Sequence, residues 1–295
     1  MSIISRRLLL AQILLLLASC TRSESSSTKQ LKKLIIGIVA YGEGTSSEEQ
    51  YQSFINYLES QTKTLIELEP AYNEVQAVRQ IQRQAWSLVF APPGLAAIAI
   101  SQAKYIPIFS LQGLTNRRSI VVVPKASPVQ NLADLNGKVI ALGQPGSATG
   151  YYVPLYNLYG TTPSEVRISP TPKTTLEWVA KGEVAAGALS RDEFDRYRPE
   201  IGAELRILFT SLRVPSGAVL ISPSIEPSQR KAIAQAMNEA LPEMAQQAGY
   251  IPGVQPPDYE TLITFIEQVK PIEAHIKEKP APLYQIGEDK KFSEN

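Results

Sequence analysis

The sequence predicts an α/β fold of two lobes, each a mostly parallel sheet flanked by helices, joined by two chain crossings. Three observations carry that expectation. Short unbroken apolar runs, such as Leu34-Ile35-Ile36-Gly37-Ile38-Val39, read as strands covered on both faces. They alternate with helical stripes such as Tyr51, Phe54, Ile55 and Leu58, the order of crossover-connected sheets. The 276 residues left after removing a 19-residue leader from 295 exceed one ordinary domain.

The leader comes first. Arg6 and Arg7 precede an apolar run from Leu8 to Leu17, and Leu17-Ala18-Ser19 leads into Cys20, the only cysteine. Charged start, short apolar stretch, small residues and a cysteine make a lipoprotein signal over residues 1–19. The run is shorter than the roughly 20 apolar residues of a membrane span. Cys20 is therefore the expected lipidation site, and the mature protein is expected outside the cytoplasm, in the periplasm or its equivalent, anchored to a membrane. Residues 20–31 contain TRSESSSTKQ, a polar flexible tether.

The body then unfolds in order. Leu34 to Val39 is the first strand, and Ser46-x-x-Glu49 has the spacing of a capping box before the first helix. Leu65 to Leu68 and Ser87 to Phe90 read as strands on either side of a helix marked by Val75, Val78, Ile81 and Ala85. Further strands are expected at 105–109, 120–123, 139–142, 185–189, 206–209 and 218–221. Leu176, Val179 and Ala180 mark one helix. Ile233, Met237, Ala240 and Leu241 mark another, and Leu262, Phe265, Ile266 and Val269 a third. Crossings near 112–123 and 209–220 place residues 32–115 plus 215–276 in the first lobe and 116–214 in the second, a hinge-bending layout. Residues 277–295, charged and proline-containing, read as a loose tail.

Composition excludes several functions. The formal charge is +1 for the whole chain, and −1 once Arg6 and Arg7 leave with the leader, so no basic face for nucleic acid is expected. With Cys20 lipidated, no thiol remains for disulfides or metal. A lone His275 rules out His-dependent triads and His-cluster metal sites. The expectation is a non-enzymatic monomer without metal or cofactor.

One segment carries chemistry. The strand Val139 to Leu142 runs into Gly143-Gln144-Pro145-Gly146-Ser147-Ala148-Thr149-Gly150, with a helix expected from about Thr149. A helix start offers unpaired N–H groups and partial positive charge. Small residues let an oxyanion come close to them. Ser147 and Thr149 add hydroxyls, and the same residues also suit a plain helix cap. Ser190, ending a strand at the expected cleft, is a further hydrogen-bond candidate.

This stretch resembles the periplasmic phosphate/phosphite/phosphonate-binding proteins of ABC importers, which have a type II periplasmic-binding-protein-like fold. The resemblance rests on Asp134-Leu135-Asn136-Gly137-Lys138, on Ser147-Ala148-Thr149-Gly150-Tyr151 and on Pro154. It extends to the segment from Trp178 to Ala188 and to Ser211–Pro215, covering roughly residues 34–222. It implies a ligand site of Tyr41, Ser147, Ala148, Thr149, Gly150 and Ser190 for a small anion such as phosphonate, phosphite or phosphate. It implies an ABC permease as partner. The chain departs from the pattern where the family's ligand histidine falls near Pro172, where an acid becomes Ala185, and where the middle loop hydroxyl becomes Ala148. Those departures motivate the alternative of a sensor or scaffold lipoprotein that has lost transport. A lyase on the same fold is the third reading.

Overall fold

Eleven strands form two mixed sheets in a computed structural model that describes residues 33–40, 44–112 and 117–284, with backbone only for 44–48. These residues lie within one compact unit. The leader, Cys20, the tether, Tyr41 and residues 285–295 fall outside the described residues.

The first sheet holds β1 (Lys33–Val39), β2 (Leu65–Ala71), β3 (Leu88–Ala91), β4 (Ile106–Leu111), β10 (Ala218–Ile221) and β11 (Tyr250–Ile251), in the order β11-β4-β10-β3-β1-β2. The second holds β5 (Arg118–Pro124), β6 (Val139–Leu142), β7 (Glu165–Ile168), β8 (Ala186–Ser190) and β9 (Leu205–Arg213), in the order β7-β6-β8-β5-β9. Strands joined by helical crossovers, β1 to β2 and β3 or β6 to β7 and β8, pair in parallel. Strands entered from the other sheet, β10 and β5, pair antiparallel with both neighbours. The sheets are therefore mixed, where the apolar runs alone suggested mostly parallel ones. The two crossings run side by side: Leu111 N–H donates to Gly217 O at 2.9 Å, and Val214 N–H to Arg117 O at 2.7 Å.

The helices are α1 (Gly44–Thr62), α2 (Glu74–Gln82), α3 (Pro93–Ala103), α4 (Val153–Asn157), α5 (Pro172–Ala180), α6 (Arg191–Ile201), α7 (Pro227–Asn238), α8 (Pro242–Gln247) and α9 (Glu260–Glu273). A π-type turn, Ala148–Tyr152, leads into α4. α1 is already under way at Gly44, so Ser46-x-x-Glu49 lies inside it rather than at its start.

The continuous apolar runs are explained by burial on both faces. In β5, Ile120 and Val122 point to a core beneath Leu176, Val179 and Phe194 of α5 and α6. The alternate residues, Val121 and Val123, join a larger core. That larger core also takes Val89 and Ala91 of β3, with Leu88 and Phe90 turned to a third cluster around Phe54, Leu58 and Tyr250. It is filled by α3, the π-type turn and α9, so one hydrophobic interior is shared by both sheets. Gly37 is dictated by packing: a Cβ there would lie 1.9 Å from the ring of fully buried Trp86.

The stretch from 277 to 284 is not loose. Ala281 N–H donates to Pro163 O and Leu283 N–H to Thr161 O, at 2.9 and 3.0 Å, and both side chains are fully buried. The charged residues and Pro280 that suggested a tail lie on its outer side, while Ala281, Pro282 and Leu283 are buried and hold it down.

A close backbone contact between the two halves is made at Gly94, in the first turn of α3. A Cβ at Gly94 would sit 2.2 Å from Gly146 O and 2.6 Å from Ala148 N, both backbone atoms. Neither partner can swing aside as a side chain would. We expect Gly94→Ala to cost about 1–3 kcal/mol by overpacking, read as a lowered urea midpoint with unchanged m value. A midpoint equal to wild type would show that α3 and the loop separate freely.

Candidate functional site

The glycine-rich segment between β6 and the π-type turn is fastened on three sides. Pro154 has no N–H to give to the carbonyls of Gly150 and Thr149. Those two oxygens are taken by other partners: Gly143 N–H donates to Gly150 O at 2.8 Å, and Ser119 Oγ donates to Thr149 O at 2.6 Å. Gly146, at φ +113°, presses against Glu74, Val78 and Leu95 of α2 and α3. Ser147 is the helix cap, its Oγ accepting from Gly150 N–H at 3.0 Å. The Gly150 N–H, expected to face a ligand, is thus satisfied inside the loop.

A cleft of about 200 Å3 opens between this segment and the first sheet. Ser147, Ala148, Thr149 and Ser190 line it together, so four of the six expected site residues converge. Gly150 instead lines a small cavity behind the loop, about 10 Å3, roughly the room of one water. The Gln144 Oε1 is buried there without a hydrogen-bond partner, beside the Ser169–Thr175 hydroxyl pair at 2.5 Å. Ser190 caps α6 in a full capping box: its Oγ accepts from Glu193 N–H at 3.1 Å, and Glu193 Oε2 accepts from Ser190 N–H at 2.8 Å.

Sequence reasoning missed Glu74, Arg117, Asp192, Arg196 and Tyr197, all on the cleft wall. Three of these sit on α6, which Ser190-x-x-Glu193 would have announced as a capping box. The acids are partly committed: Asp192 lies 3.9 Å from Arg117 Nε, and Glu193 serves the cap. Lys173 and Arg191 pair with Glu200 and Asp195 at 2.6 and 2.8 Å.

A second compartment, about 310 Å3, adjoins the first, and Pro92, Arg196 and Tyr197 border both. Its walls include Val39, Ala40, Phe90 and Leu111 at the carboxyl ends of β1, β3 and β4. The loop after β6 and Ser190 after β8 are likewise carboxyl ends. This is where ligands bind in open α/β sheets. Among the described residues no cluster of His, Cys, Asp or Glu is placed to hold a metal ion.

This geometry has known relatives. A family model described as the periplasmic substrate-binding protein of phosphonate ABC transporters matches residues 36–260. The chain belongs to that family. It is a substrate-binding component of a transporter rather than an enzyme. No curated protein matches it in sequence. Among solved structures, a Xanthomonas citri protein, seen with chloride and with ATP, superposes with TM-score 0.68 at 18% identity over 80% of this chain and 97% of its own. A binding component of an ABC phosphonate transporter from Pseudomonas aeruginosa gives 0.63 at 15%, over 83% and 88%. A Prochlorococcus marinus protein in complex with methylphosphonate gives 0.63 at 16%, over 80% and 97%. At these identities the likeness speaks for the fold.

The loop is also tied to the far end of α9. Tyr151 hydrogen-bonds the Glu273 carboxylate, and Tyr152 hydrogen-bonds the Gly146 backbone. Burial pushes the Glu273 carboxyl above the usual range, with Tyr151 and Lys270 opposing. Burial, then the nearby Glu273 charge, pushes both tyrosines up. A carboxyl raised in the folded state contributes its stability below the ordinary carboxylate range and loses it as pH rises through the raised value. Glu273→Gln keeps an acceptor for Tyr151 and removes the buried charge. We expect its melting temperature to exceed wild type at pH 7 and to converge with it near pH 4. A constant gap across that range would assign the effect to packing instead. In the same assay Ser147→Ala should cost about 1 kcal/mol through the lost cap.

Proposed function

We propose that the chain is an extracytoplasmic lipoprotein, tethered through lipid on Cys20, that captures a phosphonate-type anion between its two sheets for an ABC importer. The observation that carries the ligand reading is the convergence of Ser147, Thr149 and Ser190 on one cleft at strand carboxyl ends, in a chain of this family. Arg117 and Arg196 supply positive charge beside them. A periplasmic-binding-protein relative seen with methylphosphonate supports the choice of probe. Tyr41 follows directly on Ala40, which lines the adjoining compartment, and we assign it to the ligand site on that ground. The crossings near 112–123 and 209–220 are the proposed hinge between lobes of residues 32–115 plus 215–276 and 116–214.

Calorimetric titration with methylphosphonate tests the capture step. Ser147→Ala with Thr149→Val should lose about 1–3 kcal/mol, at roughly 1 ± 0.5 per neutral hydrogen bond and more for a charged acceptor. That is about a 5- to 150-fold weaker Kd. Equal affinity would leave Ser147 a cap and nothing more.

The anchor has its own test. Cys20→Ser should move the protein from the membrane fraction to the soluble fraction or leave the leader uncleaved, since buried acyl chains contribute about 0.8 kcal/mol per methylene. Full membrane recovery of the variant would remove lipidation from the account.

A further inference from the structure

Ser119, near the start of β5, is 2% exposed and does not itself line the cleft. It shares the face of β5 that Val121 and Val123 give to the larger core, where an apolar residue would continue the strand's pattern. A hydroxyl stands there instead, and it donates to Thr149 O at 2.6 Å. On β8 the residue opposite Ser119 is Ser190, which lines the cleft. On β9 the register shifts between the pairs Arg118–Arg213 and Ile120–Thr210, so Ser211 and Leu212 together oppose Ser119 alone. An extra residue of this kind is a bulge, which re-aims side chains beside a site. Ser211 Oγ accepts from Ser119 N–H at 3.0 Å and donates to Leu212 O at 2.6 Å, so the backbone at Ser119 is held from the β9 side.

The contact reaches the cleft through one peptide. In a planar trans unit the Thr149 carbonyl and the Gly150 N–H point in opposite directions. With the carbonyl held by Ser119, the N–H is turned to Ser147 Oγ at 3.0 Å. That bond occupies one lone pair of the Ser147 hydroxyl. The hydroxyl's own proton meets no acceptor among the described residues, and Ser147 lines the cleft. The chain therefore runs in one sense: Ser119 donates to the peptide, the peptide donates to Ser147, and Ser147 is left to donate to a ligand. Each bond of such a chain polarises the next. It ends on a donor proton, which an anionic oxygen accepts strongly.

We propose that Ser119 is a positioning residue for anion capture, acting through the Thr149–Gly150 peptide to aim and strengthen the Ser147 hydroxyl. This rests on the capture reading above and adds to it a residue that never touches the ligand.

The test is a double-mutant cycle, read by calorimetric titration of the folded full-length chain with methylphosphonate. Ser119→Ala should weaken Kd about fivefold, the worth of one neutral hydrogen bond. Ser119→Thr, which keeps the hydroxyl, should bind within about twofold of wild type. In a Ser147→Ala background, adding Ser119→Ala should cost less than about twofold, because the chain no longer ends on a hydroxyl. A general packing defect would instead weaken binding equally in both backgrounds, and that result overturns the proposal. Wild-type affinity in Ser119→Ala also overturns it and leaves the capture reading standing. If the wild-type chain binds neither methylphosphonate nor inorganic phosphate, the capture reading fails and takes this one with it. Ser119→Cys, similar in size and a weak donor, replaces alanine in the cycle if Ser119→Ala does not fold, and the cycle decides even without Ser119→Thr.

Discussion

The contact on which the rest depends is backbone against backbone: the first turn of α3 at Gly94 against the Gly146–Ala148 segment. Side-chain contacts tolerate adjustment, because rotamers can shift. Two peptide units in van der Waals contact cannot adjust without moving whole elements. That contact fixes the loop relative to the first sheet and thereby sets the depth of the cleft. It also explains two small residues by one cause. Gly94 has no room for a Cβ, and Gly146 takes a positive φ while meeting Glu74 and Leu95.

The same contact constrains motion. Two paired crossings alone would make a loose hinge. Here α3, the π-type turn and α9 fill a core that runs between the sheets, with Leu95, Ala148, Tyr152, Leu262 and Ile266 all buried. Parting the sheets on that side would expose those residues at about 25 cal/mol per Å2 of apolar surface. Separation of the sheets therefore meets its resistance on the α3 side.

Much of this architecture was legible in the sequence, and the gaps have physical causes. Val139–Leu142 and Ala218–Ile221 begin and end where their apolar runs do, because strands covered on both faces cannot extend into polar residues. The crossings were legible because the sheet changes where strand order does. α3 was invisible for the opposite reason: Gly94 to Ala99 are buried on every side, so the helix has no polar face and no amphipathic period. α6 was hidden because Ser190 was read as a hydrogen-bond candidate ending a strand and not as the start of a helix, and with it Arg196 and Tyr197 were lost. Ser147 shows the limit of motif reading. A capping hydroxyl and an anion-binding hydroxyl need the same residue at the same helix start, so the motif alone does not separate the two, and the structure shows Ser147 as a cap on a cleft wall.

The departures from the family pattern take on meaning through the cleft's charges. Where the ligand histidine is expected, Pro172 begins α5 and lines the cleft without a donor, and Ala185 sits just before β8 with no carboxylate. Two guanidiniums stand in the same cleft instead. Arginine keeps its charge at every physiological pH and offers planar, paired donors that match a phosphonate's oxygens. Histidine binds an anion with full charge only below its own pKa. In an anion site of this kind, a permanent donor in place of a titrating one removes one source of pH dependence. The cleft holds acids as well: Asp192 faces Arg117, Glu193 accepts from the Ser190 cap, and Glu74 lines the same wall, so its two guanidiniums do not stand alone.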